Sequence, residues 1–118
     1  MSRQSFEVDR IAINKLMRIL DTFRQAYPGM TADQAMTLLW IASEPDNTQI
    51  AIADMAGISR PAISRHVEVL GPPRTKLGKQ VGADLVTNDY AEDDHRKKVL
   101  RLTASGEKLV KSIQHLLK

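Results

Sequence analysis

Between Asp94 and Gly106 the chain reads Asp-His-Arg-Lys-Lys-Val-Leu-Arg-Leu-Thr-Ala-Ser-Gly, and few folds can accommodate such a segment. An acid followed by His95, Arg96, Lys97 and Lys98 belongs in water, at the tip of a turn. Lys98 to Leu102 then alternates as a half-buried strand does. Thr103, three residues before Gly106, has the makings of a helix cap. With Leu85-Val86-Thr87-Asn88 as the partner strand, residues 85–102 read as a β-hairpin with a charged tip, running directly into a new helix.

Upstream, Ile52 to Leu70 reads as two short helices joined by a tight turn. Thr48 caps the first of them, which runs through Ala56, and Gly57 supplies a residue that tolerates positive φ. Ser59 caps the second. Pro61 falls in its first turn, where the missing N–H has no intrahelical partner. In such a pair Ala53 lets the helices approach, and Ile63, Val67 and Leu70 face the core. Ser59, Arg60, Pro61, Ser64, Arg65 and Glu68 are left looking outward. A helix with that outer face fits the major groove of duplex DNA, where Arg binds guanine through two hydrogen bonds and Ser reaches base edges or phosphates. Considered alone, it is also compatible with an ordinary helical hairpin that has a polar outer face. The basic hairpin beside it strengthens the DNA reading. A basic tip beside a groove-reading helix reaches the flanking minor groove or its phosphates, with Asp94 placed to hold the Arg96 side chain in one pose and Lys97 and Lys98 available for phosphate contacts. Considered alone, that tip is also compatible with a solvated charged turn.

The remaining elements are helical. Over residues 6–27 apolar side chains recur at Ile13, Leu16, Met17, Leu20 and Phe23, until Pro28-Gly29 ends the run. Thr31 and Gln34 form a capping-box pattern ahead of Ala35, Leu38, Leu39 and Ile41. Residues 104–118 carry a second stripe at Leu109, Ile113, Leu116 and Leu117. The first helix is long and its apolar face wide, so a partner subunit is its natural cover. The alternative is packing on the last helix of the same chain. Residues 71–84 combine Gly, Pro and bases and read as a loop, in which Arg74, Lys76 and Lys79 add candidate phosphate contacts.

At 118 residues the chain is one domain. Its net charge is +3, unevenly spread: residues 1–58 hold five Lys/Arg against seven Asp/Glu, and residues 59–118 hold twelve against seven. The positive half contains the outward helix and the hairpin, as a phosphate-facing surface requires. Aromatic residues make up only 4%, too few for a platform that stacks single-stranded bases. The absence of cysteine excludes disulfides, thiolate metal sites and Cys nucleophiles. No apolar run approaches the ~20 residues that span a bilayer, and no signal-peptide core follows Met1, so a cytoplasmic location without membrane contact is expected.

Catalysis finds little support. His66, His95 and His115 are far apart in sequence and lack ligand spacing, which points to no metal and no cofactor. Ser59 and Ser64 lie near His66 only in sequence, and Gly78-Lys79-Gln80 lacks the other residues of a P-loop. No enzyme is expected.

The pattern Asp94-x-Arg96 followed by Val99-Leu100-Arg101-Leu102-Thr103-x-x-Gly106 resembles the wing of the MarR family of winged-helix regulators and its exit into the next helix. The resemblance runs through the whole chain in order. It implies a mainly α, α+β winged helix-turn-helix, with a DNA-binding core over 31–103 that includes a wing at about 85–102. Helices over 6–27 and 104–118 would form a homodimer interface through Ile13, Leu16, Met17, Leu20, Phe23, Leu109, Ile113, Leu116 and Leu117. By the same resemblance Ser59 to Leu70 is the recognition helix and Arg96 the minor-groove arginine. The implied function is sequence-specific binding of double-stranded DNA as a transcriptional repressor. A protein-interaction module and a non-regulatory architectural or replication DNA-binder stay open. The sequence departs from the family in three places: it stops at Lys118, which implies a smaller or rearranged dimer interface; 72–84 is an insertion; and Asn88 stands where an Arg often precedes the wing tip. The family's small-molecule effector pocket has no support in these residues.

Overall fold

In a computed structural model, which describes residues 6–118, the chain folds as α1 (Arg10–Ala26), α2 (Ala32–Ser43), α3 (Gln49–Ala56), α4 (Arg60–Leu70), β1 (Arg74–Lys76), β2 (Lys79–Val81), β3 (Val86–Tyr90), β4 (Lys98–Leu102) and α5 (Ala104–Leu117). The helix starts follow local chemistry. The Thr31 hydroxyl accepts from the Gln34 N–H at 3.1 Å while the Gln34 side chain accepts from the Thr31 N–H at 2.9 Å, a complete capping box. Thr48, Ser59 and Thr103 cap α3, α4 and α5 through the hydroxyl alone, which accepts from the N–H three residues on. Each such cap stabilises its helix by about 1 kcal/mol.

Two expectations need correction. The first helix begins at Arg10 rather than near residue 6, because the Asp9 carboxylate accepts from the Ala12 N–H at 3.1 Å and sets the start there. The segment 71–84 is not a plain loop: it contains the β1–β2 hairpin, with Arg74 opposite Val81 and Lys76 opposite Lys79. Its turn, Leu77-Gly78, has positive φ at both residues (52° and 76°), as a two-residue hairpin turn demands.

The core lies among α2, α3, α4 and the β3–β4 pair. Leu38, Ile41, Ile52, Ala53, Ile63, Leu70, Val86 and Leu100 are fully enclosed, and Ile19, Phe23, Leu109 and Ile113 extend the cluster between α1 and α5. Burying each large side chain of this kind is worth about 1.5–3 kcal/mol. Gly57 takes φ 68° and makes the α3–α4 turn. The loop after α2 pairs with the wing: Asn47 bridges to Leu100, whose N–H donates to the Asn47 carbonyl at 2.9 Å. Arg101 of β4 pairs with Asp46 of the same loop, so strand and helix pair are tied twice.

β3 and β4 run antiparallel from Val86↔Leu102 to Tyr90↔Lys98. Their bases are buried and residues 92–98 project, the inner tip residue Asp94 being half-covered. Thr103 then fastens α5 to the start of β3: its N–H donates to the Leu85 carbonyl at 3.0 Å and its hydroxyl donates to the Asp84 carbonyl at 2.6 Å. No described helix is long and apolar enough to cross a membrane.

Candidate nucleic-acid interface

α4 is held by its inner face. Ile63, Val67 and Leu70 are buried, which leaves Arg60, Pro61, Ser64 and Arg65 in solvent, as their spacing demands. The Ser59 hydroxyl accepts from the Ala62 N–H at 3.3 Å, so its first task is to cap the helix. Arg60 and Arg65 form no ion pair among the described residues, and their guanidinium groups are free to meet an anion or a base edge. Glu68 differs. It is half-buried and pairs with Arg74 and, at 3.2 Å, with the Lys76 ammonium. The expectation of an open, groove-reading Glu68 is therefore corrected: its carboxylate is committed to the neighbouring hairpin. Arg74 and Lys76 are correspondingly not independent charges, whereas Lys79 has no ion-pair partner among the described residues.

At the wing tip Asp94 accepts from the Arg96 backbone N–H at 3.0 Å and from the Arg96 Nε at 3.4 Å. One carboxylate thus fixes both the turn and the root of the arginine, whose side chain is 94% exposed. Lys97 is exposed and unpaired among the described residues. The Lys98 ammonium stands 5.3 Å from the centre of the Tyr90 ring, its partner across the strands, within the range of a cation–π contact. Tyr90 is an exposed wing residue that the sequence reading did not single out; a Tyr and a Lys near the ends of the two strand segments was the available signal. Arg101 is also basic, but Asp46 and then Glu92 hold it and raise its pKa further, so it serves the fold rather than the surface. Asn88 is half-buried, with an Oδ1 that finds no hydrogen-bond partner among the described residues.

The proposed dimer residues divide into two groups. Ile13, Leu16, Met17, Leu20 and Leu117 are 45–63% exposed. Phe23, Leu109 and Ile113 are enclosed within the chain's own core where α1 meets α5, and Leu116 packs partly against it. Those three are therefore corrected from interface to core, because α5 of the same chain covers the C-terminal half of α1. An open groove of about 990 Å³ runs between the two helices, lined by Met17, Arg18, Thr22, Lys108, Lys111 and Leu116 among others. Among the described residues no three His, Asp or Glu side chains cluster as metal ligands would.

No family model matches the sequence, and a search of curated proteins returns no significant match. Solved structures do match. A point mutant of S. aureus MepR bound to an oligodeoxyribonucleotide superimposes with a TM-score of 0.66 at 22% identity, over 91% of this chain and 70% of that one. Bordetella bronchiseptica BpsR, whose DNA binding is regulated by 6-hydroxynicotinic acid, matches with a TM-score of 0.58 at 18% identity, over 99% of this chain and 78% of its own. The MarR family transcription regulator SP03579 matches with a TM-score of 0.62 at 18% identity, over 91% and 64% respectively. The fold is that of the MarR-family winged-helix regulators.

Within this MarR-type fold the helix-turn-helix, the wing and the helix that follows it occupy the places their sequence signals indicated. The β1–β2 hairpin lies between the recognition-helix position and the wing, so the MarR-type core here carries two hairpins, the first basic and exposed along both strands, the second exposed and basic only at its 95–98 tip.

Proposed function

We propose that this chain is a sequence-specific double-stranded-DNA-binding regulator of transcription, acting as a homodimer that represses by occupying promoter DNA. The observation that carries the reading is the open row of Arg60, Ser64 and Arg65 on α4, beside a wing whose Arg96 is pre-set by Asp94. Ser64 and Arg65 read bases, Arg60 meets phosphate or base, and Arg96 enters the flanking minor groove. Pro61 shapes the first turn of α4 and packs against the backbone of the groove. Lys97 and Lys98 add phosphate contacts and salt dependence. Residues 31–103 form the DNA-binding core in this reading.

The uncovered row Ile13, Leu16, Met17 and Leu20 has the i, i+3, i+4, i+7 spacing of one helix face, and Leu117 of α5 is exposed as well. A second copy of the chain covers it. Two copies related by a two-fold then present their α4 helices to successive major grooves ~34–36 Å apart, which matches a pseudo-palindromic site. The MepR mutant bound to an oligodeoxyribonucleotide supports the DNA reading for this fold.

The same apolar row favours one rival, a winged helix that docks on another protein. Genomic fragments retained by the protein, footprinted and then transcribed in vitro, distinguish these outcomes. A discrete protected stretch over a promoter with reduced transcript supports repression. Indiscriminate retention with unchanged transcript supports an architectural binder, and no retention supports the protein-docking module.

A further inference from the structure

The β1–β2 hairpin has no core of its own. None of its six strand residues is buried, and Leu77 at its tip is 95% exposed. Its base is nonetheless firmly set. The N–H groups of Ala83, Asp84 and Leu85 donate to the carbonyls of Val69, Gly71 and Leu70 at 2.8, 2.8 and 2.9 Å, which satisfies two of the last four carbonyls of α4. At Gly82, φ is 106° and a Cβ would lie 2.4 Å from the Pro72 carbonyl oxygen, so the return strand closes tightly on the outgoing chain. With only Val81 half-covered along its strands and its root clamped, the hairpin holds nearly all of its side chains out in solvent.

That surface is polarised. Side chains alternate along a strand, so Arg74 and Lys76 share a face, and Lys79, directly opposite Lys76, joins them. All three bases therefore line one face, and residues 71–83 contain no acid. Like charges directly across a strand pair repel, and the anion that meets this face in the chain itself is the single Glu68 carboxylate, shared between Arg74 and Lys76. Glu68 lies three and four residues beyond Arg65 and Ser64 on α4, on the helix face that carries them. The basic face of the hairpin is thereby continuous with the outward face of α4.

We propose that the β1–β2 hairpin is a second DNA-contacting arm, separate from the wing, that sets Lys79, Lys76 and Arg74 on backbone phosphates beside the groove occupied by α4, with Glu68 tying the arm to the helix. The arm adds affinity and footprint and no sequence information, because its polar contacts go to phosphate. The proposal rests on the duplex-binding reading above.

The test compares the wild-type chain with Arg74→Gln/Lys76→Gln/Lys79→Gln on a selected duplex and a random duplex across a salt series. Each phosphate contact contributes about 0.9 to the slope of log affinity against log salt, and Glu68 neutralises one of the three bases, so the triple variant flattens the slope by about 2 per protomer. Its preference for the selected duplex is unchanged, and its hydroxyl-radical footprint loses protection on the sugar-phosphate backbone next to the major-groove contact. If the triple variant fails to fold by circular dichroism, Lys79→Gln alone decides, with a slope smaller by about 1. An unchanged slope and footprint in a folded variant overturn the arm while leaving the DNA reading intact. A wild-type chain that binds no duplex overturns both.

Discussion

Gly106 meets the backbone of Leu85 so closely that a Cβ at that position would lie 2.1 Å from the Leu85 carbonyl oxygen. The same carbonyl accepts from the Thr103 N–H, and the Thr103 hydroxyl in turn accepts from the Gly106 N–H at 3.0 Å. The spacing Thr-x-x-Gly is thus one device: the threonine caps α5, and the glycine lets that capped turn press onto the start of β3. The wing and the last helix take their relative position from it.

Gly106→Ala should therefore destabilise the fold by about 1–3 kcal/mol, the usual cost of forcing a group into an occupied space. Urea unfolding followed by circular dichroism measures it, as a lower midpoint at unchanged slope. A midpoint equal to that of the wild type contradicts the close approach.

Arg65→Ala should remove about 1–3 kcal/mol of discrimination at one base position per half-site, leaving binding to random duplex nearly as it was. Affinities for a panel of single-base variants of the selected site give the answer. Uniform weakening across the panel assigns Arg65 to phosphate instead.

Arg96→Ala should weaken binding most where the flanks are rich in A·T, since a narrow minor groove attracts an inserted arginine. Asp94→Ala should have a milder effect in the same direction, because it frees the arginine root without removing its charge. If both variants keep the flank preference of the wild type, the wing does not enter the minor groove.

Leu16→Glu/Leu20→Glu places two acids in the exposed row of α1 and leaves the buried Ile19 and Phe23 untouched. Sedimentation should show a folded monomer that binds single half-sites and no longer favours an inverted repeat. A variant that still sediments as a dimer excludes this face as the interface.

Legibility in the sequence followed the range of the forces involved. Caps at Thr31, Thr48, Ser59 and Thr103 and the turn at Gly57 are decided by neighbours three residues away, and each was readable. So was the Asp94–Arg96 contact, two residues apart. The β1–β2 hairpin was not: Leu77-Gly78 lacks the usual Asn-Gly turn signal, and its strands have no apolar face to alternate against polar residues. Glu68 looked open because its partners lie beyond a helix end and a turn. Phe23, Leu109 and Ile113 carry the same periodicity as the exposed Leu16 and Leu20, and only the packing of α5 on α1 separates core from surface. Periodicity shows that a face is apolar; it does not show what covers it.

The central claim is that two copies of this chain read a duplex, and selection of tight binders from a random-duplex pool at physiological salt tests it most directly. The account predicts enrichment of an inverted repeat with half-sites about one helical turn apart. An unenriched pool, with binding that disappears as salt rises, would mean that the basic face recognises charge alone and would contradict the claim.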